Sequence, residues 1–344
     1  MTDPTSEERA LVRDALVGIA IAVGNSDRLG EDAFSKIGAT KLEKFVCEGL
    51  YHLDLLSDVT HSWYLAGIKT DTGDTTLSPG ELRAVAPQLT TDRAESRTLV
   101  DDRSHDAVSE RANEFAAFYE SEYPLEDYWT TESEKFLLDF YRRSECVPEE
   151  FRDLYVGVQR FRNLLSEVDE AVCNREATLA DFDGETPVTF RDRYEEIGRF
   201  VSTVHIELSD HEQLRATVPR YRRFTDLLED AYLQLRETKL ASISPEQAET
   251  LQWLHEKHYH EAWKLPALVV SVQTATGPRA RDRQLAHAKK LDAQRTSLDN
   301  TIERAIRRCE RDGLVPSADL YPDRDPQIES ALEEFIHLYA KRDV

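Results

Sequence analysis

The chain has 344 residues, 40% hydrophobic and 32% charged, and carries a formal net charge of −23. Such a composition excludes an intrinsically disordered protein and leaves room for a large core and two or three domains. The longest apolar run, Ala15 to Val23, has nine residues, whereas a bilayer span needs about 20, so no membrane contact is expected. The start, MTDPTSEERA, is acidic where a signal peptide would be basic, and a cytoplasmic location is expected.

Helical periodicity runs through nearly the whole chain. The first predicted helix spans about Ser6 to Val23, with Ser6 as N-cap and Glu7 and Glu8 at the positive end of the dipole. A second begins near Glu31 or Thr40 and runs to about Leu56. Between Thr60 and Thr76, alternating aromatic residues and a Gly-Asp-Thr turn predict a short strand pair. Ser78-Pro-Gly-Glu81 reads as a capping box opening a short helix. The polar stretch Thr90 to Asp106 reads as a domain boundary.

From Ala107 the texture becomes long helices. Phe151, Leu154, Val158, Phe161, Leu165, Val168 and Val172 recur at spacings of three and four. So do the series from Phe190 through Ile197 to Leu208 and from Leu214 through Phe224 to Leu235. These are core stripes of helices packed side by side, and the short breakers between them favour antiparallel neighbours. Ser244, followed by Pro245, caps the next helix. Gly277-Pro278 ends a segment, a long helix follows to Asp312, and Pro326 to Lys341 forms a terminal one. The expected fold is mostly α. A small helical or α+β domain covers residues 1–100, and a larger antiparallel helical bundle covers 101–344.

The stretch WLHEKHYHEAW, Trp253 to Trp263, holds three of the ten histidines. The apolar series Leu251, Leu254, His258, Ala262, Leu265 places His258 on the inner side. The leading expectation is a core helix, with the two tryptophans supplying packing area and His258 held by a polar neighbour. The alternative is a metal inside the bundle, using His255, His258 and Glu261 with Glu334 and His337 from the terminal helix, which supply the chain's one Glu-x-x-His pair. HExxH zinc spacing is absent, as are GxSxG, GxxxxGK[ST] and GxGxxG. No catalytic residue and no cofactor is assigned. The four cysteines (Cys47, Cys146, Cys173, Cys309) have no regular spacing and read as buried free thiols.

Between Ala275 and Asp312 stand ten basic residues against six acids. Arg279, Arg283, Lys289, Lys290, Arg304, Arg307, Arg308 and Arg311 are the candidate surface for nucleic acid or an acidic partner. The other reading is an Arg-rich helix paired with acidic neighbours. The same helix carries a heptad seam, Ala288, Leu291, Arg295, Leu298, Ile302, Ala305, Cys309, whose small knobs suit a helix lying on the protein body.

Two resemblances follow from these residues. With 11 lysines among 43 basic residues, one methionine and 66 acids, the chain resembles proteins of salt-in halophilic archaea. At molar salt the Debye length is about 3 Å, so acidic self-repulsion is screened. Phosphate contacts are weakened as well: four of them would lose roughly four to five decades of affinity between about 0.15 M and about 3 M salt. Thr40-Lys-Leu-Glu-Lys-Phe45 followed by Trp63-Tyr-Leu-Ala-Gly67 resembles the start of the Panacea, or SocA-like, antitoxin domain, although Ile68 stands where that family has proline. The resemblance implies a non-catalytic domain that binds or regulates a protein partner. The leading expectation is therefore an interaction or regulatory protein with a protein partner. A metal-dependent enzyme and a nucleic-acid-associated regulator are the alternatives.

Overall fold

A computed structural model describes residues 3–29, 33, 37–70, 109–173, 190–239 and 242–316. Among these residues the architecture is mostly α, with one two-stranded antiparallel sheet. Helix α1 (Ser6–Asn25) packs against α3 (Glu110–Ser121) and α2 (Ala39–His52). Strands β1 (His61–Tyr64) and β2 (Gly67–Thr70) pair in the register Trp63 opposite Ile68. Short α4 (Leu125–Thr130) leads into α5 (Ser133–Arg143), which lies on α6 (Arg152–Cys173). Next come α7 (Phe190–Asp210) and α8 (Val218–Leu235), then α9 (Pro245–Lys257), α10 (Lys264–Gln273) and α11 (Ala280–Arg311). A π-helical turn, His258–Ala262, joins α9 to α10.

The three expected stripes are the inner faces of α6, α7 and α8, with Tyr194 and Val218 only partly buried. At α1 the cap is Thr5, one residue before the expected Ser6. Its hydroxyl accepts from Glu8 N at 3.1 Å, and Glu8 Oε2 accepts from Thr5 N at 2.8 Å. Glu8 thus closes a capping box that Ser6 has no matching acid to complete. Ser244 caps α9 in the same way, with Gln247. The second helix begins at Ala39 and ends at His52, earlier than Leu56.

The strand pair forms within the segment expected for it. Gly67, at φ +86, permits the turn while the chain passes beneath Tyr141 and Trp63. The hairpin is covered by α10 on one side and α2 on the other. His61 also bridges to Thr276, with backbone hydrogen bonds of 3.0 and 2.9 Å. One hydrophobic core runs from Leu11 to Leu314. The Ser78–Glu81 box, the Thr90–Asp106 boundary and the terminal helix lie outside the described residues. Among the described residues, no helix is long and apolar enough to cross a membrane.

Candidate functional site

The histidine stretch has the expected inner face. Leu251, Leu254, His258, Ala262 and Leu265 are buried, and so is Trp263. Trp263 goes inside because the π turn (Trp263 N to His258 O, 2.8 Å) widens the helix by one residue at this point. His258 is held by a polar neighbour, Tyr221, whose hydroxyl lies 2.7 Å from Nε2. Its ring packs edge-on against Phe161 at 4.6 Å, and the buried Nδ1 has no hydrogen-bond partner among the described residues. Burial, with His255 adding to it, pushes the His258 pKa down to about 3.

His255 points elsewhere. Its Nδ1 lies 2.7 Å from Asp169 Oδ1 and its Nε2 lies 3.1 Å from the Tyr232 hydroxyl. A carboxylate can only accept, so Nδ1 carries a proton toward Asp169, and Nε2 shares a hydrogen bond with the Tyr232 hydroxyl. This Asp–His–Tyr relay ends on a buried tyrosine and ties α6, α8 and α9 together, with Asp169 and His255 also lining a cavity of about 180 Å³. Glu261 faces α11, accepting from Gln294 at 3.0 Å and Ser297 at 2.9 Å. The structure therefore gives His255, His258 and Glu261 separate partners. Among the described residues, no three His, Cys, Asp or Glu side chains are grouped as ligands. Glu334 and His337 lie outside the described residues.

Two of the basic surface candidates are internal. Arg279 is 9% exposed and Arg283 is 3% exposed. Arg279 Nε donates to Glu8 Oε2 at 2.8 Å. Burial alone would raise the Glu8 carboxyl, but Arg279 and hydrogen bonds from Thr60 and Thr5 outweigh it and hold the pKa at about 2. Arg283 donates to Ser62 Oγ at 2.7 Å and to Lys69 O at 3.3 Å. These two are corrected from surface to core, since both face the hairpin. Arg308 lies over the Trp253 ring at 5.0 Å and pairs with Glu249, and Arg311 pairs with Asp312. Lys289, Lys290, Arg304 and Arg307 remain exposed. In the seam, Leu298, Ile302, Ala305 and Cys309 are buried as expected, whereas Ala288 is exposed. Cys173 is exposed, unlike the other three thiols.

Sequence reasoning missed a serine–histidine pair. Ser271 Oγ lies 2.5 Å from His287 Nδ1 and 2.7 Å from Ser62 Oγ. Both serines are wholly buried, so this network locks the hairpin to α10 and α11 and offers no nucleophile to solvent.

The lysines of the Thr40–Phe45 stretch also point inward. Lys44 donates to Ile68 O. Lys41 donates to the carbonyls of Tyr128 (3.1 Å), Trp129 (3.4 Å) and Thr131 at the C-terminal end of α4, where the helix dipole favours a cation. The same side of α2, one to two turns further along, forms one wall of a groove of about 620 Å³. Glu48, Tyr51 and His52 come from α2, Phe118 and Glu122 from the end of α3, and Phe136, Phe140 and Arg143 from α5. Each helix contributes residues at spacings of three or four, so each presents one side of its cylinder.

The rings form a continuous series along the floor. His52 stacks on Phe118 at 4.2 Å, then come Tyr123, Tyr128, Phe136 and Phe140 at 5.5 to 6.1 Å. Glu48 sits half-buried among them. Burial and nearby Glu145 raise its pKa, while a hydrogen bond from Ser144 opposes the rise. Among the described residues, no cation pairs with Glu48. A neighbouring groove of about 530 Å³ shares Glu122, Tyr123 and Pro124. There the acids Glu126 and Asp127 are already paired with Arg28, at 3.2 and 2.8 Å.

A family profile described as a domain of unknown function, DUF8098, matches residues 1–343. The chain belongs to the DUF8098 family. No curated protein and no solved structure matches it. The DUF8098 profile takes in α2, α3 and α5 as well as the bundle, so the groove lies within the family's own extent.

Proposed function

We propose that this DUF8098 chain is a non-enzymatic interaction protein that docks a protein partner in the groove between α2, α3 and α5. The observation that carries the reading is Glu48, a half-buried carboxylate among aromatic rings that, among the described residues, has a hydrogen bond from Ser144 but no cation. Holding a charge in that position costs stability unless a partner supplies the opposite charge. Perturbed carboxylates in a concave site are also where function concentrates. The resemblance of Thr40–Phe45 and Trp63–Gly67 to the Panacea antitoxin domain supports a protein-binding role. The acidic, lysine-poor composition supports a cytoplasm of high salt as its setting.

Capture is the test. A photo-reactive residue at Tyr51, which is 40% exposed, is expected to cross-link one partner in lysate held at the cell's own salt, with nuclease present. The double variant Tyr51→Ala/His52→Ala is expected to abolish co-purification of that partner, while Arg307→Ala on α11 retains it. Cross-linking that persists unchanged in a control labelled at Leu285, on the far helix, would remove the reading. So would turnover by the pure protein on an esterase or phosphatase panel.

A further inference from the structure

We propose that the groove receives an arginine side chain of the partner, its guanidinium laid on the His52–Phe118 stack and paired with Glu48. The inference rests on the docking reading above and names the chemistry that would satisfy it. Three observations select arginine. First, the lining is rich in rings, and at its edge His52 stacks flat on Phe118 at 4.2 Å and 20°. A planar cation stacks on such a surface, whereas an ammonium offers only a point charge.

Second, the walls are acceptors. Glu48, Asp54, Glu122 and Glu145 stand against the single Arg143. Acceptors call for a ligand with N–H donors, which a quaternary ammonium lacks, and a carboxylate matches a guanidinium fork with two parallel hydrogen bonds. Third, Glu48 is half-buried and desolvated. A guanidinium is more weakly hydrated than an ammonium and gives up less water on entering such a place.

The general acidity of the chain does not account for this site. In the adjoining groove, the carboxylates of Glu126 and Asp127 already hold Arg28. Among the described residues Glu48 has no such cation, only the hydrogen bond from Ser144. Glu122 is exposed at the rim, its carboxylate 3.5 Å from His52 Nε2, whereas Glu48 is half-buried.

The experiment uses the full chain and two labelled dodecapeptides of equal net charge. One carries four arginines and the other carries lysines at the same positions. Binding is followed by fluorescence polarisation at 0.15 M and 1 M sodium chloride. The arginine peptide is expected to bind at least tenfold more tightly than the lysine peptide at 1 M salt. Glu48→Gln is expected to weaken it about tenfold and erase the preference. Glu246→Gln, at the exposed start of α9, is expected to leave both peptides unchanged. Circular dichroism and the unfolding midpoint establish that Glu48→Gln is folded.

Equal affinities that vanish together at 1 M salt would overturn the inference, as would no binding of either peptide. If the arginine preference is absent but a partner still cross-links at Tyr51, the docking reading stands and the arginine assignment falls. If the preference is present but survives Glu48→Gln, the assignment to this groove is wrong.

Discussion

Arg279 Nε meets Glu8 Oε2 at 2.8 Å across 271 positions of sequence, with both side chains almost wholly buried. This ion pair ties the first turn of α1 to the start of α11. Thr60 completes the corner, since its hydroxyl accepts from Arg279 N at 2.9 Å and its own N–H donates to Glu8 at 3.0 Å.

The corner sets an acid limit on stability. Glu8 titrates at about 2 in the folded chain and near 4.3 when unfolded. Its folded pKa is the lower one, so its contribution is complete above the unfolded value and is lost as pH falls toward 2. The linked free energy is roughly 3 kcal/mol. Glu8→Gln is expected to cost about 3–5 kcal/mol at pH 7, because the buried Arg279 loses the carboxylate it faces. It should also flatten the acid limb of stability. Urea midpoints from pH 7 to pH 3 check both, and equal acid limbs in the two proteins would refute the assignment.

Three histidines, two buried and His205 partly so, add a second and steeper pH dependence. Burial pushes His258 down to about 3, and His205 and His287 to about 4. Unfolded, each titrates near 6.5. Between those values the unfolded chain binds more protons, so stability rises with pH from about 4 to 6.5 and levels off above. The double variant His258→Leu/Tyr221→Phe removes both polar partners together. It is expected to reduce that slope by up to one proton, about 1.4 kcal/mol per pH unit. Thermal midpoints at pH 5 and pH 7, compared with wild type, measure it.

Gly277 and Gly313 make a matched pair. Both have positive φ, +100 and +67. A Cβ at Gly277 would stand 2.6 Å from Val59 O and 2.7 Å from Thr60 Cα, whereas one at Gly313 meets nothing within 4 Å. Gly313→Ala is expected to cost only the left-handed backbone term, about 1–2 kcal/mol. Gly277→Ala adds a backbone collision at the His61–Thr276 bridge and is expected to cost at least about 3 kcal/mol. Denaturant unfolding of the two variants ranks them, and equal losses would contradict the packing described.

On α11, burial decides what an arginine does. Arg283→Met is expected to destabilise by about 1–3 kcal/mol, since it withdraws the donor that holds Ser62 Oγ. Arg307→Ala, on the exposed side, is expected to fall within about 0.5 kcal/mol of wild type. A thermal shift comparison separates them.

Much of this architecture was legible in advance, and for a local reason. Burial at spacings of three and four repeats within one helix, so Phe161 and Leu165, or Phe224 and Leu228, mark their inner face without reference to any neighbour. The inward His258 followed from the same stripe, and the Ser244 cap from its own four residues. The strand pair showed as a change of period near Trp63. The Thr5 cap was misplaced by one residue because two adjacent hydroxyl residues, Thr5 and Ser6, compete for that role.

The sequence by itself determined the helical class, the inward faces of α6, α7 and α8, and the lack of any nucleotide or nucleophile motif. Tertiary structure alone decided which charges face solvent. Arg279 and Arg283 carry the same local signature as Arg304 and Arg307, but contacts with Glu8, Ser62 and Lys69, more than 200 positions away, hold the first two inside. The Glu48 groove has the same origin. Each of its three helices shows a short mixed face of rings and charges, and none of those faces says which other face it will meet. Periodicity along one helix reports whether a side chain turns inward. Which charge or ring waits there depends on contacts between helices, and no repeat along a single helix encodes them.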